Sequence, residues 1–90
     1  MKTATHYFIL SLAHHGLDEN ALWWCPDDKG YTKDLNKAGR YTYEQVEANA
    51  HYYDNGVETR AVPVEEVELM AQNTINGTDA RARWSKKGGK

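Results

Sequence analysis

Four histidines, one cysteine and 13 carboxylates are the groups in this chain that could hold a metal, attack a carbonyl or move a proton. Zinc needs three or four converging ligands, usually from close pairs such as Cys-x-x-Cys or His-x-x-x-His. His6, His14, His15, His51 and Cys25 contain no such spacing. His14 and His15 are adjacent, so on a strand they point to opposite faces. His6 and His14 could share a face, but eight residues of strand hold them roughly 26 Å apart. Cys25 would need a nearby base to act as a nucleophile. It follows two tryptophans and precedes Pro26, an apolar context that fits a packed thiol. The acid pairs Asp18-Glu19, Asp27-Asp28 and Glu65-Glu66 are adjacent in turns or at a helix start, where carboxylates form turns and complement the helix dipole. Gly88-Gly89 opens no helix and so cannot cradle a phosphate. The expectation is a non-enzyme with no cofactor and no metal.

The aromatic residues are the better lead. Trp23, Trp24, Tyr31, Tyr41, Tyr43, Tyr52 and Tyr53 crowd the middle of the chain. Adjacent tryptophans on a strand face opposite sides, so a sheet covered on one side exposes one of them. Exposed tryptophan and tyrosine are favoured contact residues. The candidate partner-binding set is therefore Trp23, Trp24, Tyr52 and Tyr53, with the acids Asp27, Asp28, Glu65 and Glu66.

Charge divides the chain sharply. Residues 1–80 hold six basic residues against all 13 acidic ones, a net −7. Residues 81–90 hold five basic residues and no acid, a net +5. Arg81, Arg83, Trp84, Lys86 and Lys87 mix cations with an aromatic, a pattern through which phosphates and bases can be held. The acidic body would repel the same nucleic acid. A solubilising tail, or docking of the tail on an acidic body, are the other readings.

These groups must be positioned by a small fold. Ninety residues make one domain with a thin core. At 40% hydrophobic and 27% charged the chain is globular and not disordered. A single cysteine excludes an intrachain disulfide and fits a reducing compartment. No apolar run reaches the ~18–20 residues that span a bilayer, and Tyr7-Phe8-Ile9-Leu10 is too short for a signal-peptide core. A cytoplasmic protein without a membrane partner is expected.

Residues 4–13 read as a strand, with Phe8, Leu10 and Leu12 alternating against Tyr7, Ile9 and Ser11. Gly16, Asp18 and Asn20 form a turn. Residues 21–25 are a second strand, closed by Pro26. Thr32 to Ala38 is a short helix capped by Thr32 and ended by Gly39. Thr42 and Gln45 make a capping box for a helix with Tyr43, Val46, Ala50 and Tyr53 on one face. Asn55-Gly56 turns the chain into a third strand, Val57 to Val62. Pro63 opens a last helix with the stripe Val64, Val67, Met70, Ala71 and Ile75, leaving Leu69 nearly opposite and partly exposed. Asn76-Gly77 breaks it. The expected fold is α+β, a three-stranded antiparallel sheet with two or three helices on one face, in the order β-β-α-α-β-α. The compact domain would span 1–76, and 77–90 would be a flexible basic tail.

Trp23-Trp24-x-Pro, Gly30-Tyr31-Thr32, Asp34-Leu35, Ala38-Gly39-Arg40-Tyr41-Thr42 and Ala61-Val62-Pro63-Val64 together resemble a pattern in small accessory proteins of bacteriophages and prophages. The resemblance covers roughly residues 7–70 and excludes the basic tail. The family mostly lacks assigned activity, so no catalytic residue transfers. It implies a cytoplasmic protein of a bacterial host cell that binds and inhibits a host protein, such as a CRISPR effector or another defence enzyme. An acidic body suits a positively charged groove. The alternative is an accessory protein that binds nucleic acid through the tail.

Overall fold

The computed structural model describes residues 5–15, 20–70 and 72–84, with residues 13–15 as backbone only. Strand β1 (His6–His15) is its axis. Phe8, Ile9 and Leu10 are all buried to within 1%. Three consecutive buried residues on a strand mean that both faces of the sheet are covered. The alternation read from the sequence holds. Phe8 and Leu10, with Leu12 beside them, enter one core, and Ile9, with Tyr7 beside it, enters the other.

The chain is α+β, as expected, and its sheet is antiparallel with five strands rather than three. The others are β2 (Ala21–Trp24), β3 (Tyr31–Thr32), β4 (Tyr41–Thr42) and β5 (Thr59–Pro63). Leu10 pairs with Trp23 and Arg60, and Tyr7 with Tyr41 and Pro63. Hence β5 takes one edge of β1, while β2 and β4 share the other. The register between β1 and β2 slips between Leu10 and His15, and β3 adds to the outside of β2. The two extra strands are two residues long and have no periodicity of their own to reveal them.

The helices lie on both faces of the sheet, correcting the one-sided expectation. On one face are α1 (Tyr43–Ala48) and α2 (Ala50–Tyr53), whose Val46 and Tyr53 pack with Ile9, Tyr41 and Ala61. On the other are α3 (Val64–Glu68) and α4 (Gly77–Trp84), whose Val64, Val67, Ala80 and Trp84 pack with Phe8, Leu10, Trp23, Val62 and Ile75.

The capping box forms: Gln45 N–H donates to Thr42 Oγ1 at 3.1 Å and Thr42 N–H to Gln45 Oε1 at 3.4 Å. The expected single helix breaks at Asn49 (φ −144°), which ends α1 and starts α2. Asn55 Oδ1 collects the N–H groups of Val57, Glu58 and Thr59, and Gly56 takes φ 77°. That turn delays β5 to Thr59 and leaves Val57 78% exposed.

Three other expectations change. Residues 32–38 form turns, not a helix. Thr32 Oγ1 accepts from Asp34 N–H and Asp34 Oδ1 from Asn36 N–H, so local side-chain bonds outcompete a segment too short to nucleate a helix. Gly39 is not a helix terminus. A Cβ there would meet the Pro26 backbone at 2.8 Å, and its N–H donates to the Trp24 carbonyl. Pro63 closes β5 and caps α3, which ends at Glu68. Ile75 still reaches the same core, held by its carbonyl accepting from Ala21 N–H at 2.6 Å. Leu69 is 84% exposed, as its position opposite the stripe requires. Ala71, Gly16 and Asp18 lie outside the described residues.

The segment 77–84 is not a flexible tail. Asn76 Oδ1 accepts from the N–H groups of Thr78 and Asp79, so the residue read as a breaker starts α4. Trp84 is buried against Trp23, with ring centroids 5.9 Å apart. Its indole N–H donates to Glu66 and its carbonyl accepts from Arg60 Nε at 2.7 Å. Among the described residues no helix is long and apolar enough to cross a membrane.

Candidate functional site

The α1/α2 layer does not cover its face of the sheet completely. Beyond Tyr53 it leaves a cleft of about 480 Å³, lined by residues from β1, β2, β3, β5, α2 and the flanking turns. Its aromatic walls are Trp24, Tyr31 and Tyr52. Trp24 stands nearly perpendicular to Tyr52 (5.2 Å, 76°) and to Tyr31 (6.3 Å, 79°). Both tyrosines are 46% exposed.

Local chemistry places each wall. Antiparallel pairing sets Tyr31 opposite Trp24. The intervening loop closes through Cys25 N–H donating to the Gly30 carbonyl, with Gly30 at φ 95°. Tyr52 follows from the restart of the helix at Asn49, whose carbonyl accepts from Tyr52 and Tyr53 N–H. Thr59 and Ser11, paired across β5 and β1, are buried polar residues lining the cleft. Thr59 Oγ1 donates to the Tyr52 carbonyl at 2.9 Å.

Asp28 supplies a carboxylate. The loop carries Asp27 and Asp28 both at φ 60°, a left-handed conformation that Asp tolerates better than most residues. Tyr53 O–H lies 3.2 and 3.3 Å from the two Asp28 oxygens. Tyr41 Oη accepts from Asp28 N–H at 3.0 Å and lies 3.3 Å from Asp28 Oδ1. Its single proton goes to the Cys25 carbonyl at 2.6 Å, the shorter contact. Tyr41 therefore fixes the Asp28 backbone and Tyr53 its carboxylate. A carboxylate has about four acceptor positions, so one phenol leaves most of this one available. Burial pushes the Tyr41 phenol up to about 12; the Asp28 N–H bond pulls it down and the Asp28 charge pushes it up. Burial, then the Asp28 charge, also raises Tyr53. Both phenols stay protonated through the neutral range and act as donors.

Glu58 adds a second carboxylate to the lining, beside His51 and Asn55. No lysine or arginine is among the lining residues. Asp28 is turned toward tyrosines and does not orient His51 as a base. Among the described residues no group of three His, Cys, Asp or Glu side chains is gathered for a metal. The side chains of His14 and His15 lie outside those residues.

Of the residues singled out from the sequence, the structure brings Trp24, Asp28 and Tyr52 into one cleft and places Tyr53 directly behind it. Asp27 is exposed but does not line it. Trp23 is on the opposite face with no exposure at all, and Trp24 is half-buried rather than the exposed member of the pair. The reason is the same for both: each face of the sheet has its own helical layer. Neither indole N–H has a hydrogen-bond partner among the described residues. Glu65 and Glu66 are on α3, in the other layer, and Glu66 is engaged by Trp84.

The basic set is dispersed. Trp84 is buried and cannot stack on a base. Arg83 pairs with Asp79 at 3.2 Å, and Arg81 lies 3.4 Å from the Leu12 carbonyl. Lys86 and Lys87 lie outside the described residues. Tyr31 and Glu58, together with the polar lining residues Ser11, Asn55 and Thr59, are absent from the set expected from the sequence. The pairing of Gly30-Tyr31 back onto Trp24 is the signal that could have found the first. Comparison of the chain with protein-family models, with curated proteins and with solved structures finds no match to any of them.

Proposed function

We propose that this chain is a non-enzymatic accessory protein of phage or prophage type that binds and inhibits a host protein, with the cleft beside α2 as its contact surface. The observation that carries the binding reading is the cleft itself. It presents two half-exposed tyrosines and a tryptophan, residue types that dominate binding energy at interfaces, next to carboxylates. The resemblance in the central block supplies the class of partner, a host protein such as a defence effector. The net charge of −7 over residues 1–80 favours a partner with a basic surface.

The test is capture from bacterial lysate on immobilised protein, run in parallel with Tyr52→Ala. The expected result is one host protein retained by the native chain, lost with Tyr52→Ala, and reduced in its own activity when the native chain is added. A host protein retained equally by both would remove the cleft from the proposal. Retention without any effect on the captured protein's activity would remove inhibition.

A further inference from the structure

The cleft has an electrostatic sign. Asp28 and Glu58 are among its lining residues, and lysine and arginine are not. Its three aromatic side chains have π faces that attract cations. The Asp28 carboxylate is fixed by Tyr53 from one side and keeps acceptor positions free for a donor from another. Rings, a fixed carboxylate and a second acid together specify a planar cation. A guanidinium stacks on an aromatic face through its plane and donates through its edge to a carboxylate. An ammonium has donors but no plane to lay on a ring, and a quaternary ammonium needs a closed cage, whereas the two tyrosines here stand 46% exposed.

Resting on the reading of this cleft as the contact surface, we propose that it is a receptor for an arginine side chain presented by the partner protein. The guanidinium stacks against the Trp24–Tyr52 wall and donates to Asp28, with Glu58 adding charge at the rim. The cleft volume of about 480 Å³ falls within the range of ligand sites and also admits the residues flanking that arginine.

The probes are blocked tripeptides Gly-X-Gly, where X is arginine, citrulline, lysine or trimethyllysine. Each is titrated into the full chain while the Trp24 indole N–H resonance is followed. The arginine peptide is expected to saturate. Citrulline keeps the shape and loses the charge, and should bind at least ~10-fold more weakly, the scale of a partly desolvated cation–π contact plus a charged hydrogen bond. Asp28→Asn, which keeps the acceptor for Tyr53 and tolerates the left-handed backbone, should weaken the arginine peptide by about the same factor. Glu58→Gln, on an exposed residue, should weaken it by ~2–3-fold and serves if Asp28→Asn disturbs the fold.

Equal binding of citrulline and arginine, tighter binding of the lysine or trimethyllysine peptide, or no saturable binding would each overturn the proposal. Failure here is distinguishable from failure of the functional reading. Loss of host-protein capture in Tyr52→Ala would keep the cleft as the contact surface even if no arginine peptide binds.

Discussion

Trp23 and Trp24 are neighbours in the chain and sit in two different environments. Trp23 is sealed between Phe8 (5.8 Å) and Trp84 (5.9 Å), under α3 and α4. Trp24 has its ring contacts with tyrosines, Tyr31, Tyr52 and Tyr53, on the side where α1 and α2 stop short. The α3/α4 layer is packed around an aromatic and aliphatic cluster. The α1/α2 layer is built from rings that carry hydroxyls and ends in a cleft with a polar lining. One sheet thus has a face packed around a large apolar core and a face that carries the proposed contact cleft. A chain of this size has only about 5–13 kcal/mol of stability in total, so a loss of a few kcal/mol in either layer is a large share of it.

The largest expected effect tests that division. Trp23→Ala should cost about 3–5 kcal/mol, because it empties a fully buried site between two other rings. Trp24→Ala should cost roughly half as much, since its pocket is open to water. Urea unfolding of both variants measures the pair. Equal costs would mean that the α1/α2 face is as tightly sealed as the other.

Arg60 joins the two layers and comes next in size. Its guanidinium pairs with Asp54, at the end of α2, and with the Trp84 carbonyl, at the end of α4. The side chains of Arg60 and Asp54 are 15% and 18% exposed. Arg60→Ala leaves Asp54 largely buried without its partner and should cost about 2–3 kcal/mol, below the fully buried case. At about 4–8 °C per kcal/mol for a domain of this length, thermal unfolding resolves it easily. If α4 is held by Trp84 packing alone, the melting temperature will barely move.

These two effects also mark what could be read from the chain. The Thr42–Gln45 box, the Asn55 turn and the face split of β1 were legible because each depends on residues within a few positions of one another. The double coverage of the sheet was signalled too: Phe8-Ile9-Leu10 followed by Trp23-Trp24 are apolar runs where a half-exposed strand would alternate. The cleft was not legible as a unit. Asp28 meets Tyr53 across 25 positions of sequence, and Tyr31 reaches Trp24 only through a two-residue strand. Helix α4 was hidden for another reason. Its sequence is basic and polar, and it holds its place through Ala80 and Trp84 against a core contributed by distant segments. The same charge pattern that marked residues 81–90 as a tail masked a packed helix in 77–84.

The buried phenols give a pH test of the α1/α2 face. Tyr41 is raised to about 12 in the folded protein, against an ordinary value of 10. A group whose folded pKa exceeds its unfolded pKa contributes fully below the unfolded value and loses that contribution as pH rises toward the folded one. Stability should therefore be flat up to about pH 10 on this account and fall between 10 and 12. Tyr41→Phe removes the ionisable group and should flatten that fall, while lowering stability near neutrality by about 1 kcal/mol for the lost bonds to Cys25 and Asp28. Denaturant melts at a series of alkaline pH values, with ultraviolet titration of the phenols, measure both. A native-like alkaline slope in Tyr41→Phe would assign it to other groups.

The smallest effect sharpens the comparison most. Tyr31 is a wall of the cleft, 46% exposed, and its ring stands nearly perpendicular to that of Trp24. If this face exists for recognition, Tyr31 should be nearly idle in folding. Tyr31→Ser is expected to change stability by no more than about 1 kcal/mol, in the range of ordinary surface substitutions and one aromatic pair. A shift of several kcal/mol would show that the tyrosine is structural, and the cleft would then be a gap in packing rather than a surface. A small shift, together with lost capture of a partner, separates the two functions in one residue. Large aromatic surface left half in water gains little for the fold, and its contribution would then come from what binds there.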